Sequence, residues 1–322
     1  MLSAYRVQGA SLERLSIDNG APIPDDAVWI DLVAPTTHED RSVEKYLGVA
    51  VPTREEMQEI EVSSRLYTEN GARYMTATLM CQSDTATPKT TAVTFILASH
   101  RLVTVRYDEP RPFAIVEHKL GRACSPKIAG DTVLMDLLDA VVDRSADILE
   151  RIGMEIDQIS HTIFEPEADE TPSYNDVLKA LGRKGDLTSK VRESLVSIGR
   201  VLLFLANEAE TMKWAKDMRT QVQSMQRDVI SLTDHASYIS NKVTFLLDAM
   251  LGVVNIQQNA IIKIFSVAAV VLMPPTLVAS IYGMNFKHMP ELDFEYGYPL
   301  AIGIMILAAV LPYMWFKWKK WL

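Results

Sequence analysis

Asn285 closes a Tyr282-Gly283-Met284-Asn285 run that separates two apolar spans near the C-terminal end of the chain. Its side-chain amide carbonyl is a neutral hydrogen-bond acceptor, and Gly283 supplies the backbone freedom of a tight turn. A Gly and an Asn after a helix also make an ordinary C-cap, so the chemistry depends on what leads up to them. A face recurs there at alternating steps of four and three: Asp248, Gly252, Asn255, Asn259, Ile262, Ser266, Ala269, Met273, Thr276 and Ser280. Spacing near about 3.5 residues keeps one stripe pointed at a common axis when several copies bundle. The stripe is polar at its start, then small or apolar, then hydroxylated beside Tyr282, as suits a conduit that begins and ends wet. Membrane helix interfaces use small residues at the same spacing, so spacing alone does not separate a pore face from a packing face. Two helices cannot enclose a water-filled path, and conduction therefore requires several copies. Cyclic symmetry would repeat each residue as a ring, and rings of carbonyl-bearing groups are one basis of ion selectivity.

The elements that must position these residues are two spans, from Ile264 to about Tyr282 and from about Tyr298 to Phe316, both free of charged residues. A helix rising ~1.5 Å per residue needs roughly 20 residues to cross a ~30 Å hydrocarbon core, and both spans qualify as transmembrane helices. Lys263 precedes the first and Lys317, Lys319 and Lys320 follow the second, whereas the connecting loop sets Lys287 against Glu291, Asp293 and Glu295. Short basic flanks stay on the cytoplasmic side, so both termini are expected in the cytoplasm and the acidic loop outside. Tyr313, Trp315, Trp318 and Trp321 suit an interfacial aromatic belt. The start, MLSAYRVQGASLERL, lacks the continuous apolar core of a secretory signal. The first span is then expected to act as the insertion signal.

A length of 322 residues leaves ample chain for a soluble part beside the hairpin. The 23% charged residues and mean hydropathy of +0.06 average a polar body with an apolar tail. A net charge of -9 disfavours nucleic-acid binding, which normally shows a basic face. Cys81 and Cys124 lie far apart and the six His are scattered, so neither redox CxxC chemistry nor a Cys-rich zinc site is indicated. Gly182 and Gly185 in LGRKGD fit no phosphate-loop spacing, and no nucleophile constellation stands out, so an enzyme is not expected.

Residues 1–128 alternate β-like and helical runs, which predicts an α/β or α+β domain. Strands are expected at Tyr5–Val7, Ala27–Val33, Ala72–Cys81, Thr91–Ala98 and Arg101–Tyr107, the last two meeting as a hairpin at His100. Helices are expected at about 38–48 and 53–60, the second opened by a Thr53/Glu56 capping-box spacing. Residues 129–260 read as a long-helix stalk, interrupted by EPEADETPSYND at 165–176, where Pro166 and Pro172 break it into an antiparallel pair. A further helix beginning near Thr211 or Gln221 meets no Pro until Pro274 and is expected to run straight into the membrane. Residues 261–322 form the transmembrane hairpin.

On NAIIKIFSV, PPTLVASIYGMNF, MPEL, GYP and the basic KWKKWL tail, the chain resembles the CorA family of divalent metal ion transporters, for which YGMNF followed by MPEL between two C-terminal helices is diagnostic. The resemblance implies an α/β N-terminal cytoplasmic domain, a long helical stalk and a two-helix transmembrane domain, assembled as a funnel-shaped homopentamer in the inner membrane. It implies magnesium influx, with cobalt and nickel also accepted. It assigns Gly283, Met284 and Asn285 to the selectivity mouth and places Asp248, Asn259, Ile262, Phe265, Met273 and Thr276 on or near the pore-lining helix. Phe265 and Ser266 compete for one inward position.

Magnesium dehydrates reluctantly, so a ring of neutral Asn285 amides would hold the hydrated ion by its waters and still release it. Met273 and Ile262 with Phe265 would form apolar collars that gate by dewetting. Asp248 would gather cations at the inner end, and Glu291 in the acidic loop would attract them outside, although a plain solvated loop charge fits Glu291 as well. In the family, cytoplasmic magnesium bound by carboxylates between subunits favours the closed pore, giving the ion a regulatory as well as a transported role. Asp131, Asp136, Asp139 and Asp143 have the spacing of a solvated helix face, and no sensor residue is nominated. The competing readings are a zinc transporter of the related ZntB branch and a non-conducting membrane-anchored bundle. The intact Gly283-Met284-Asn285 word and the lack of a Cys or His cluster favour magnesium.

Overall fold

The structure is a computed structural model that describes residues 1–9, 11–17, 21–122, 128–165, 173–285, 289 and 295–319, with the backbone alone at Val62. Among these, backbone contacts divide the chain into two units, Met1–Leu247 and Asp248–Leu322.

The first unit is built on a seven-stranded sheet: β1 (Leu2–Gln8), β2 (Ser11–Ile17), β3 (Ala27–Val33), β4 (Leu66–Glu69), β5 (Ala72–Cys81), β6 (Lys89–Ala98) and β7 (Arg101–Arg106), in the order β2-β1-β3-β7-β6-β5-β4. Only β3 and β7 pair in parallel; the other pairings are antiparallel. The expected β6–β7 hairpin turns through Ser99 (φ 47°) and His100 (φ 63°). Two left-handed central residues give the turn whose twist matches the flanking strands. Strands β2 and β4 were not expected from sequence. Their signals are local: Asn70 (φ 50°) and Gly71 (φ 80°) form the tight turn joining β4 to β5, and Asn-Gly between apolar runs is a strong hairpin mark.

Alternation along the strands divides the core. Ile30, Leu32, Val103 and Val105 share one buried cluster with Val43, Val49 and Met57, contributed by α1 (Thr37–Leu47), α2 (Arg54–Met57) and the link between them. Both helices start with complete capping boxes, Thr36 with Glu39 and Thr53 with Glu56; each box satisfies otherwise orphaned N-terminal amides at both ends. A one-turn helix α3 (Val62–Arg65) leads into β4. On the other side, Trp29 stacks on Tyr5 at 4.1 Å and meets Phe113 of α4 (Arg111–Arg122) at 6.3 Å. There Trp29 Nε1 donates to Thr104 Oγ1 (3.0 Å), Thr104 Oγ1 donates to Asp31 Oδ1 (2.6 Å), and Arg106 holds the Asp31 carboxylate.

Two 35-residue helices, α5 (Gly130–Phe164) and α6 (Tyr174–Glu208), follow. Gly130 starts α5 against the hairpin turn, its N–H donating to the His100 carbonyl at 2.7 Å. A Cβ there would overlap the Leu102 amide and come to 2.6 Å from that carbonyl, so only glycine fits. Pro166 and Pro172, assigned to the break between these helices, lie outside the described residues. Helix α7 then runs from Lys216 to Tyr282, starting between the two sequence-based alternatives. In the first unit its buried positions, Val222, Met225, Val229, Ala236, Ile239, Val243 and Leu246, recur at heptad-like steps. Val229 faces Gly199 and Val243 faces Gly185, each valine methyl within 3.4 Å of where a glycine Cβ would stand. That pairing is antiparallel, with glycines allowing α6 and α7 to approach closely.

Candidate functional site

In the second unit the remainder of α7 is followed by α8 (Gly297–Trp318), and both helices are long and apolar enough to cross a membrane. Their less exposed positions fall on single faces: Val267, Val271, Pro274, Pro275, Val278 and Tyr282 on α7, and Ala301, Met305, Ala308, Pro312 and Phe316 on α8. Steps of three and four place each set on one side of its helix.

Every position of the stripe from Asp248 to Ser280 is exposed in the single chain. At 3.6 residues per turn, its membrane part lies about half a turn from the Val267/Val271/Val278 face. Asn259, Ile262, Met273 and Thr276 therefore share the open side of α7, and Phe265, 71% exposed, is on that side too, as is Ser266. Asp248 stands where the second unit begins. The free arc also carries Leu272 and Leu277, so small and polar residues form a stripe within an otherwise bulky apolar surface.

Local chemistry interrupts the hydrogen-bond ladder beside the stripe. Pro274 and Pro275 lie inside α7 and have no N–H to donate. The Val270 and Val271 carbonyls thus lose their helical donors in an apolar span, where an unsatisfied carbonyl is costly. Thr276 Oγ1 in the same stretch donates to the Leu272 carbonyl at 2.7 Å. Proline carbonyl release is a feature the stripe reading passed over, although PPTL is plain in the sequence.

At the end of α7, Gly283 N–H donates to the Ala279 carbonyl (3.0 Å) and Met284 N–H to the Ile281 carbonyl (3.2 Å), so the helix tightens before it stops. Gly283 does not take the left-handed conformation of a glycine cap; its positive-φ counterparts are Gly9, Gly48 and Gly71. A Cβ at Gly283 would stand 3.2 Å from the Ala279 carbonyl that its own N–H bonds, a contact a small shift relieves, so neither a reversal nor a clash explains the glycine here. Met284 and Asn285 are exposed beyond it. Glu291, with Lys287, Asp293, Lys320 and Trp321, lies outside the described residues.

The acidic face of α5 is more engaged than a solvated stripe. Asp136 accepts from Lys119 Nζ at 2.8 Å, and Asp131 stands 3.8 Å from His100 Nδ1. Burial, then the neighbouring Asp143, push the Asp139 carboxyl above its ordinary range, with Asp136 and Asp228 of α7 adding to the effect. Among the described residues no group of three or more His, Cys, Asp or Glu side chains is arranged to hold a metal ion.

The sequence matches the family model described as CorA-like Mg2+ transporter protein over residues 24–319. It is 37% identical over 325 aligned positions to the magnesium transport protein CorA of Escherichia coli (strain K12), covering 100% of both chains. It is 34% identical over 322 residues to the protein of that name from Mannheimia succiniciproducens, again over 100% of both. The fold matches the complete CorA magnesium transporter structure from Methanocaldococcus jannaschii with a TM-score of 0.77 at 18% identity, covering 100% of this chain and 99% of the other.

Proposed function

Because the chain belongs to the CorA-like Mg2+ transporter family, a family of ion transporters rather than enzymes, we propose that it conducts magnesium into the cell through a homopentameric pore in the inner membrane, with both termini cytoplasmic. The observation that carries this reading is the open stripe on α7: Asn259, Ile262, Met273 and Thr276 lie on the face left free by the α7–α8 unit. Several copies arranged around an axis would turn each into a ring.

In this reading Gly283, Met284 and Asn285 form the mouth. Five exposed Asn285 amides present neutral acceptors to the waters of hydrated magnesium, an outer-sphere contact that suits an ion slow to dehydrate. Below them, Thr276 and the carbonyls released by Pro274 and Pro275 offer polar stations, and Met273 and Ile262 with Phe265 offer apolar constrictions. Asp248 concentrates cations at the inner end and Glu291 attracts them outside. Cobalt and nickel pass as hydrated divalent ions of similar demand, and cytoplasmic magnesium biases the pore toward its closed state. An inside-negative membrane supplies ~2.3 kcal/mol per charge per 100 mV, about twice that for a divalent ion, so no coupled ion is required.

Purified protein in liposomes, with a magnesium-sensitive dye inside and an imposed negative potential, tests the reading. Wild-type protein is expected to conduct, and Asn285→Ala to assemble normally and conduct little. Undiminished flux through Asn285→Ala would remove the mouth assignment, and absence of cation flux in the wild type would favour a non-conducting bundle.

A further inference from the structure

A cleft of about 670 Å³ opens in the first unit, between the α6–α7 pair and the end of the sheet. Its walls come from separate elements. Helix α6 contributes Arg192 and Arg200, two turns apart on one face with Val196 between them; α7 contributes Ser237, Ser240 and Asn241; α3 contributes Arg65 and β5 contributes Thr78. Three guanidiniums thus face the space against one carboxylate, Glu193, in a chain whose net charge is -9.

The bonding around the cleft leaves the two α6 guanidiniums without a carboxylate while most of its hydroxyls are already engaged. Arg65 is anchored, its Nη1 donating to Thr78 Oγ1 (3.1 Å) and its Nε to the Glu59 carbonyl. Ser197 Oγ accepts from the Thr78 N–H at 2.8 Å, which leaves its hydroxyl hydrogen free to point into the cleft. Among the described residues Arg192 and Arg200 have no carboxylate partner, whereas two of the lysines of the same helix do: Lys184 with Glu155 and Lys190 with Asp186. Ser237 Oγ donates to the Thr233 carbonyl, so Ser240 and Asn241 are the donors that α7 offers opposite. Unpaired guanidiniums two turns apart on one helix face, with these donors across the cleft, match an anion with several oxygens, because the guanidinium fork binds phosphate oxygens two at a time. The volume falls in the range of small-molecule sites, and the exposed Ile60 and Val196 side chains add apolar surface beside the charges.

We propose that this cleft binds a small polyphosphate compound of nucleotide size, its phosphates on Arg192, Arg200 and Arg65 and its remainder against Val196 and Ile60. The site is separate from the stripe on α7 and does not depend on the ion pathway being assigned correctly.

Full-length protein in nanodiscs, titrated in magnesium-free buffer with ATP, with tripolyphosphate and with adenosine, tests this by calorimetry. Saturable binding of ATP and tripolyphosphate is expected, weakening as potassium chloride is raised from about 50 to about 300 mM because exposed charges are screened, with no detectable binding of adenosine. Arg192→Ala/Arg200→Ala is expected to lower affinity at least tenfold, the loss of two charge-assisted contacts, while leaving oligomer size and magnesium flux in liposomes unchanged. No saturable binding to wild type at millimolar ligand, or equal binding by the double variant, overturns the proposal. So does a cleft occupied by another copy of the chain, revealed when wild type binds nothing and the double variant shifts the oligomer.

Discussion

Arg106 and Asp31 form a buried, multiply hydrogen-bonded ion pair across the parallel β3–β7 junction: Arg106 Nη2 lies 2.8 Å and Nε 3.2 Å from the carboxylate oxygens, with Asp31 only 3% and Arg106 11% exposed. Thr104 and Trp29 extend the network, and the Arg106 guanidinium lies 4.6 Å over the Phe113 ring. Removing one partner of such a pair strands the other charge, at a cost of about 3–5 kcal/mol. Asp31→Ala is therefore expected to lower the thermal midpoint of the solubilised protein by several degrees, read by circular dichroism. An unchanged midpoint would show that the network contributes little.

Gly130 offers a sharper contrast. Gly130→Ala forces a Cβ into the His100 carbonyl and the Leu102 amide and is expected to destabilise by more than about 2 kcal/mol through displaced backbone. Gly153→Ala, on the same helix with nothing within 4 Å of the added Cβ, is expected to stabilise by roughly 0.5–1 kcal/mol, as alanine does in an open helix interior. Chemical denaturation of both variants under one condition decides between a local clash and a general intolerance of α5 to substitution.

Cysteine accessibility separates the two sides of α7. On a background with Cys81 and Cys124 replaced, cysteines at Asn259 and Thr276 should react with a charged, water-soluble thiol reagent and lose flux. Cysteines at Val271 and Val278, on the part-buried side, should not. The reverse pattern would turn the helix around and assign the stripe to packing.

Asp84 links the β5–β6 connection to α5, accepting from Arg151 (2.5 Å), Arg144 (2.7 Å) and, from α4, Arg111 (3.0 Å). The Arg151 hydrogen bond, with the positive charges of Arg144, Arg151 and Arg111, holds its carboxyl below the usual range. A carboxyl more acidic when folded stabilises fully above its unfolded value, near about pH 4, and loses that contribution as pH falls through the folded value. At 43% exposure solvent screening keeps the effect small. Stability measured from pH 7 down to about 3 should fall less steeply in Asp84→Asn than in wild type; identical slopes would remove Asp84 from the acid response.

Magnesium-free stability reports on the α5 acidic face. Burial and Asp143 raise the Asp139 carboxyl, so its charged form is disfavoured by folding at neutral pH and folding favours its protonation as pH falls. Asp139→Asn is expected to raise the thermal midpoint at pH 7, with the gain over wild type shrinking as pH is lowered toward the unfolded value. A lower midpoint at pH 7 would mean that the charge is held by partners that more than offset its burial.

The sequence by itself determined what local pattern and composition control. Two charge-free spans of sufficient length mark the membrane helices because a bilayer admits little else. β-Branched runs locate β3, β5, β6 and β7, and Thr53 with Glu56 opens α2. The Tyr282–Asn285 word, read beside its flanks, identifies the family. β2 and β4 escaped because half-exposed edge strands, β4 only four residues long, carry weak alternation, although Asn70-Gly71 marked one of them. Only the tertiary structure shows which positions of α7 are exposed in the single chain, because a helical stripe has the same spacing whether it packs or stays open. The Arg192/Arg200 cleft was invisible for a related reason: its charges come from α3 and α6, far apart in sequence, and gather only because both elements pack beside β5.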